Sequence, residues 1–285
     1  MAVTLAAALA VTSCSFPDTT TRNEQPGVSR EAEAALAGLE GKIFSKGPNG
    51  EEPAPPSAAD LTPAEVEQVK AKGATAAIVM HYAGNDWSIA QINGLRHEFG
   101  RLGIDVVAVT DANFQPDRQV SNLETVMARK PDIIVSIPAD PVATAQAYQA
   151  VAAAGVQLVF MDNAPKDMVA GKDYVSVVSA DNYGNGVVSA HLMAKALGGR
   201  GKIALIYHEA DFFVTRQRYD GFRTTIAQNY PQIQIVEERG IAGPDFAGDA
   251  QNVASAMLSK HADLDGIWAV WDVPAEGVLA AARAF

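Results

Sequence analysis

The chain has 285 residues, 48% of them hydrophobic and 19% charged, a balance that excludes a disordered protein and allows two folded lobes. Its formal net charge of -11 argues against nucleic-acid binding, because contact with phosphates requires clustered Lys and Arg. The single cysteine, Cys14, excludes an internal disulfide and a cysteine-based metal site.

The chain begins with an apolar run of small residues. Residues 1–13 are too short to span a membrane but long enough for the apolar part of a signal peptide. The next residue completes the sequence Val-Thr-Ser-Cys, which resembles a bacterial lipobox, in which the cysteine becomes the lipid-modified N-terminus. We therefore predict a signal peptide at residues 1–13 and lipidation at Cys14. The alternative is an incidental or buried cysteine, since no Lys or Arg precedes the apolar run.

Residues 14–73 are rich in Pro, Gly, Glu, Ser and Thr and include the stretch GPNGEEPAPPS. A helical pattern interrupts this composition only at residues 30–39. Such sequences form extended or flexible connections. We predict a lipid-anchored tether that carries one loosely attached helix.

From residue 74 onward, short apolar runs alternate with amphipathic segments. Continuous β-branched runs flanked by helices indicate parallel strands that are covered on both faces. The predicted strands are residues 74–80, 105–110, 132–137, 156–161, 174–179, 202–207, 233–238 and 266–270. Predicted helices between them include residues 88–101, 118–129, 142–153, 183–197 and 216–229.

Eight strands with intervening helices are also compatible with a (β/α)₈ barrel. Residues 162–173 argue against it, because this polar segment with Pro165 and Gly171 does not form a crossover helix. The break predicts that one sheet ends here and another begins. It places an N-terminal lobe at residues 74–162 and a C-terminal lobe at residues 163–285.

Both halves repeat the same unit of strand, polar loop and helix. Doubly wound sheets bind ligands at the carboxyl ends of their strands, and two such sheets that face each other enclose a cleft. The sequence therefore predicts an α/β protein with two doubly wound parallel-sheet lobes, joined by a hinge, and a ligand site between them.

Six segments resemble the periplasmic sugar-binding proteins similar to ribose-binding protein, the type I solute-binding proteins of ABC importers. They include HYAGNDW, PADPVATA, DNYGNG and TRQRYDGF and occupy residues 78–103, 134–145, 158–163, 178–186, 215–222 and 267–281. The resemblance covers residues 74–285. It implies a two-lobed binding protein that captures a sugar or sugar alcohol without catalysis, cofactor or metal.

The resemblance also implies where the protein works. We expect an exported monomer in the periplasm or on the outer face of the cytoplasmic membrane, attached to the membrane only by its lipid and recognised by the membrane subunits of an ABC importer. Repressor relatives carry a basic helix-turn-helix before the same fold, and this chain instead carries a signal-like segment. Because the family continues beyond the helix that ends this sequence, we expect an incomplete, C-terminally truncated second lobe.

Sugar recognition combines flat apolar rings with directional polar groups. The loop after the first predicted strand carries both kinds, and we predict ligand contacts from His81, Asn85, Asp86 and Trp87, with Tyr82 of the same loop as a further candidate. The alternative is that Asp86 caps the following helix and Trp87 anchors the core. After the third strand, Asp140 matches an aspartate that binds sugar hydroxyls in the family, and it also stands where it could cap a helix.

In the rest of the chain, five further residues are predicted to bind ligand. Asn163 aligns with a ligand-binding arginine of the ribose proteins, which predicts a different pattern of ligand hydroxyls. Arg216 matches the family's bidentate sugar-binding arginine. Phe212 and Phe213 are both candidates, and we expect one of them to line the cleft. Trp271 replaces an asparagine that is usual in the family and is predicted to narrow the pocket or add a stacking face.

No common catalytic motif is present in the sequence. HExxH, a Walker-type GxxxxGK[ST] and a GxSxG nucleophile elbow are all missing, and the five histidines lack metal-ligand spacing. We therefore predict a binding protein and not an enzyme. A hydrolase or isomerase acting on sugars, or a sensor of an autoinducer or nucleoside, remains as the alternative.

Overall fold

The computed structural model describes residues 26–285. The predicted signal peptide and Cys14 lie outside this part of the chain. Within it, the α-helices are α1 (Pro26–Ala37), α2 (Pro63–Lys72), α3 (Asp86–Arg101), α4 (Pro116–Met127), α5 (Ala145–Ala153), α6 (Asn182–Leu197), α7 (Phe213–Asn229), α8 (Phe246–Lys260) and α9 (Asp272–Ala284). The strands are β1 (Thr75–Met80), β2 (Asp105–Asp111), β3 (Ile133–Ser136), β4 (Gln157–Met161), β5 (Ser176–Val178), β6 (Gly201–His208), β7 (Ile233–Ile241) and β8 (Gly266–Ala269).

The strands form two separate parallel sheets. The first has the order β2-β1-β3-β4-β5, and the second has the order β7-β6-β8. Every strand pair is parallel, with Ile78 opposite Val135 in the first sheet and Leu205 opposite Trp268 in the second. The predicted α/β class with two parallel-sheet lobes is confirmed, and the barrel alternative is excluded.

Each sheet carries a hydrophobic core on both faces. Alternate residues of β1 point to opposite sides, so that Val79 packs with Leu123 and Phe160 while Ile78 packs with Phe99. The second sheet is covered in the same way by α6 and α7 on one face and by α8 and α9 on the other. Burying one such side chain contributes about 1.5–3 kcal/mol, so these four clusters account for the apolar strand sequences.

Helices of the second lobe approach each other closely through glycine. A Cβ atom built at Gly186 of α6 would collide with the carbonyl oxygen of Arg218, and one built at Gly221 of α7 would collide with the carbonyl oxygen of Tyr183. Gly277 of α9 meets the backbone of α8 in the same way. The glycines therefore set the distance between helix backbones in this lobe.

The boundary predicted at residue 162 differs from the structure. Strand β5 pairs with β4, with Phe160 opposite Val177, so the first sheet continues to Val178. The boundary was predicted there because residues 162–173 lack a crossover helix, and a segment without a helix was expected to end the sheet. Residues 162–175 are nevertheless long enough to connect two parallel neighbours, because such a crossover needs about a dozen residues but not a helix.

The chain passes from the first lobe to the second at residues 179–181. Hydrogen bonds between polar side chains link the two lobes at this crossing. The Ser179 hydroxyl donates to Asp162 at 2.8 Å, and the Asn182 amide donates to the Ser179 hydroxyl at 2.8 Å. Arg218 of α7 donates from Nε to the Asn182 amide oxygen at 2.8 Å. Burial raises the pKa of Asp162, an effect reduced by the Ser179 hydroxyl and the nearby Arg218. We call this crossing the hinge.

The predicted loose tether at residues 14–73 is wrong for the part that the structure describes. Ala32 of α1 is fully buried in the core of the second lobe, in the same cluster as Ala190 and Ala194 of α6. Val66 and Val69 of α2 pack on the core of the first lobe. Residues 52–65 form an unbroken exposed run that includes the Pro-rich stretch of the sequence.

Candidate functional site: the cleft between the lobes

The carboxyl ends of the first sheet carry a group of aromatic rings. His81 follows β1, and its ring meets Phe114, which follows β2, edge-on with centroids 5.0 Å apart. Tyr82 stacks on the same Phe114 ring at 4.8 Å. Because parallel strands end at a common edge, residues distant in sequence form one surface here.

The second sheet presents a matching group at its own carboxyl ends. His208 ends β6, Phe246 begins α8 after β7, and Trp271 follows β8. The His208 ring lies 5.3 Å from Phe246 and 5.5 Å from Trp271, and these two rings are 4.9 Å apart, all at steep angles. Such edge-to-face contacts are the favoured geometry of aromatic pairs.

The two groups of rings meet across the cleft. Phe114 of the first lobe lies 5.3 Å from Phe246 of the second, and His81 lies 6.1 Å from Phe212, which precedes α7. Phe212 is 7% exposed and packs with the first-lobe core, as does Val214. We call His81, Tyr82, Phe114, His208, Phe212, Phe246 and Trp271 the interlobe aromatic cluster.

Two polar side chains at the cleft have buried hydrogen-bonding atoms without a partner. Asn163 is 1% exposed and accepts a long bond, 3.4 Å, from the Phe213 N–H, while its Nδ2 donor has no partner. The Nδ1 atom of His81 is also buried and unpartnered. Such atoms cost free energy in a folded protein, and a ligand that supplied a hydroxyl group to them would recover it.

Both histidines of the cluster are neutral at pH 7. Burial, assisted by the charge of His208, lowers the pKa of His81 to about 4. Burial also lowers the pKa of His208 to about 4. Neutral imidazoles both donate and accept hydrogen bonds, so the cluster offers uncharged polar edges as well as ring faces.

A family model described as a periplasmic binding protein domain matches residues 76–284. The chain belongs to this family. The matched range includes both sheets, the hinge and every residue of the interlobe aromatic cluster. The predicted resemblance is thereby confirmed.

Several curated relatives of this chain are import binding proteins. A ribose import binding protein of Salmonella typhimurium is 24% identical over 208 residues, which cover 73% of this chain and 67% of that protein. A D-apiose import binding protein of Paraburkholderia graminis is 28% identical over 187 residues, which cover 64% of this chain and 56% of that protein. These relatives agree with the prediction of a binding protein and not an enzyme.

Solved structures show the same fold. An arabinose-binding protein from Geobacillus stearothermophilus superposes with a TM-score of 0.63 at 27% identity, covering 74% of this chain and 70% of that one. A solute-binding protein from Actinobacillus succinogenes with bound D-allose gives a TM-score of 0.65 at 25% identity, covering 74% and 73%.

Of the residues predicted to bind ligand, His81, Phe212 and Trp271 lie in the interlobe aromatic cluster, and Asn163 lies beside it. Phe213 is half-buried at the start of α7 and packs against the first-lobe core. The expectation that one of the two phenylalanines reaches the cleft agrees with the position of Phe212.

Four other candidates lie outside the cluster. Asn85, and not Asp86, caps α3 by accepting from the Ser88 N–H at 2.8 Å. Asp86 is exposed, and Trp87 is 45% exposed, so Trp87 is not a core anchor. Asp140 accepts from the N–H groups of Val142 and Ala143 at 2.8 and 2.7 Å, so it holds the turn before α5 and does not cap the helix, whose N-cap is Thr144.

The two arginines at the start of α7 differ sharply. Arg216 is exposed and forms an ion pair with Asp211. Arg218 is held at the hinge, where burial lowers the pKa of its guanidinium despite the nearby carboxylates of Asp162 and Asp272. A ligand that binds Arg216 must therefore compete with Asp211 for the guanidinium.

Sequence analysis missed three members of the cluster: Phe114, His208 and Phe246. Each lies at or just after the carboxyl end of a predicted strand, or at the start of the helix that follows. A search of every strand end for aromatic residues would have identified them, because those ends converge at one edge of each sheet.

Proposed function

We propose that this chain is the solute-binding component of an ABC importer and that it captures a sugar or sugar alcohol between its two lobes. The observation that supports this most directly is the interlobe aromatic cluster, with unpartnered polar atoms of Asn163 and His81 at its side. The import function of the ribose and apiose relatives supports the same assignment.

The residues of the cleft suit a small polyhydroxylated ligand. The rings of Trp271 and Phe114 are only partly buried and offer apolar surface to the C–H groups of a sugar. The Asn163 amide and the neutral imidazole edges offer hydrogen bonds to hydroxyl groups. A neutral ligand fits this set better than a charged one, because the pKa values of about 4 leave His81 and His208 uncharged.

Capture follows from closure of the cleft around the hinge. A ligand held between Trp271 of the second lobe and His81 of the first favours the closed state, because only that state contacts it from both sides. The ligand leaves chemically unchanged, and the membrane subunits of the importer recognise the closed form.

Replacing Trp271 with alanine is expected to weaken sugar binding by about 5- to 150-fold, the ~1–3 kcal/mol typical of a buried aromatic anchor. Removing the indole leaves empty space beside the rings of Phe246 and His208, which Trp271 contacts edge-to-face. Calorimetric titration with the sugar that binds the wild type measures the change. An unchanged dissociation constant would exclude Trp271 from the site.

Trp87→Ala is the matched variant, because it removes the other tryptophan predicted at the site. Trp87 lies on the first turn of α3 and is 45% exposed. We expect a much smaller effect than for Trp271. A loss of affinity as large as that of Trp271→Ala would place the ligand at the start of α3.

We also propose that the mature protein is exported and held at the membrane by a lipid on Cys14. The apolar run at residues 1–13 directly before this cysteine supports the proposal. Mass spectrometry of the protein from the membrane fraction is expected to show an N-terminal diacylglyceryl cysteine. A Cys14→Ser variant should appear in the soluble fraction, and an unmodified Cys14 in the membrane fraction would contradict the anchor.

A further inference from the structure

We propose that residues 26–72 form a strap that crosses the hinge and limits how far the two lobes open. The strap starts on the second lobe with α1, passes the hinge at residues 43–52, and ends on the first lobe with α2. It is a second covalent connection between the lobes, beside the crossing at residues 179–181.

Helix α1 is fixed to the second lobe. Ala32 is fully buried against α6, and Glu33 pairs with Lys195 at 2.8 Å. The Val28 side chain occupies the space where a Cβ of Gly199 would lie, so the helix contacts the backbone of that lobe directly. These contacts hold the strap at its first end.

Helix α2 is fixed to the first lobe. Val66 and Val69 pack with the core residues around Phe99, and the stem of Lys70 lies against Gly103. Its start is fixed by a capping box in which Thr62 and Glu65 bond each other's backbone N–H groups. The two ends of the strap thus belong to different lobes.

Between these helices, the strap bonds the hinge itself. Asp181, the last residue before α6, accepts from the N–H groups of Phe44 and Ser45 at 3.0 and 2.9 Å. The Ser45 hydroxyl accepts from the Tyr183 N–H at 2.9 Å. Burial would raise the pKa of Asp181, but the N–H groups of Phe44, Gly184 and Ser45, together with the Ser45 hydroxyl, lower it, so the carboxylate is charged at neutral pH.

The same segment touches both lobes on either side of the hinge. The carbonyl oxygen of Lys46 accepts from the side chain of Gln217 on α7 of the second lobe at 3.3 Å. The Asn49 side chain donates to the carbonyl oxygen of Met168, a first-lobe core residue, at 3.4 Å. Opening of the cleft moves these two partners relative to each other, so it must stretch or break contacts of the strap.

Opening is measured best at the far end of the cleft from the hinge. Strand β2 is the edge strand opposite β5, and Phe114 after β2 meets Phe246 at the start of α8. We therefore place dyes at two exposed positions near this contact, Asp117→Cys on α4 and Gln251→Cys on α8, in the full chain with Cys14→Ser. Single-molecule energy transfer then reports the opening of the ligand-free protein.

Two changes weaken the strap. A protease site inserted within the exposed residues 53–58 allows the strap to be cut after folding, with both helices still in place. Asp181→Asn keeps an oxygen to cap α6 but removes the acceptor of the Phe44 N–H and the charge. The matched control is Asp245→Asn, because Asp245 caps α8 in the same Asp-x-x-Gly pattern, accepting from Gly248 at 3.0 Å.

We expect that cutting the strap lowers the mean transfer efficiency and broadens its distribution. Asp181→Asn should produce a smaller shift in the same direction. Asp245→Asn should give the same distribution as the parent protein. Identical distributions before and after cutting would overturn the proposal. An equal shift in transfer efficiency in Asp181→Asn and Asp245→Asn would also overturn the proposal. The shift would then come from the lost charge or the altered helix cap, which both variants share, and not from the strap. The measurement needs no ligand and is independent of the proposed import function.

Discussion

Gly186→Ala is expected to destabilise the protein by about 3 kcal/mol, at the upper end of the range for inserting a methyl group into a packed interior. The added Cβ would collide with the Arg218 carbonyl oxygen and lie 2.7 Å from the Phe222 backbone nitrogen. Both obstacles are backbone atoms of α7, so no side-chain rotation relieves the clash. Helices α6 and α7 must separate, which loosens the core around Phe222. Urea unfolding measures the change in the free energy of unfolding.

The matched control is Gly94→Ala on α3. A Cβ at Gly94 meets no atom within 4 Å, and the residue is exposed. Alanine in an exposed helix is more favourable than glycine by about 0.5–1 kcal/mol, so this variant should be more stable than the wild type. If Gly186→Ala and Gly94→Ala change the free energy of unfolding alike, helices α6 and α7 do not approach each other as closely as the structure shows.

Acidification is expected to destabilise the closed protein between about pH 6.5 and pH 4. The pKa values of His81 and His208 are both lowered to about 4, whereas an unfolded histidine has a pKa near 6.5. In this window the unfolded chain binds protons that the folded protein does not, so the free energy of unfolding falls as the pH falls. Below pH 4 these two groups add no further loss.

The expected loss is about 3 kcal/mol for the pair, taking about 1.36 kcal/mol per pKa unit and reducing it for solvent screening at the cleft. Thermal melting at pH 7.5, 6, 5 and 4 measures it. His81→Gln/His208→Gln should flatten most of the pH dependence, with a remainder from His191, whose pKa is also lowered by burial, and, near pH 4, from carboxyl groups with lowered pKa such as Asp181 and Glu237. His97→Gln, an exposed change on α3, is the control for replacing a histidine away from the cleft. A double variant with the wild-type profile would contradict this account.

The alternation of apolar runs and amphipathic segments was sufficient to predict all eight strands of the described part. Strand β1 is buried in all but its first residue, and the four apolar residues at the centre of β6 are buried, so both runs are recognisable in the sequence. The site could be predicted as a region, because strand ends of parallel sheets converge. His81, Phe212 and Trp271 were predicted from their positions after strands together with the family resemblance, and they lie in the interlobe aromatic cluster.

Other features depend on tertiary contacts that no local pattern encodes. Strands β4 and β5 pair although the segment that connects them contains no helix, and β5 is only three residues long. Residues 26–72 have the composition of a tether, yet Ala32 and Val66 find complementary surfaces on different lobes. The exposed side chain of Arg216 pairs with Asp211, a contact that depends on side-chain conformation and not on sequence spacing.

Calorimetric titration of the full chain with a panel of sugars tests whether the cleft binds a sugar or sugar alcohol. The panel contains D-ribose, D-apiose, D-arabinose, D-allose, D-tagatose and the corresponding sugar alcohols. We predict saturable binding of one molecule of at least one panel member, with a stabilisation of about 2.7 kcal/mol at 100 times its dissociation constant. Absence of binding to every panel member by a protein that melts cooperatively would contradict the account.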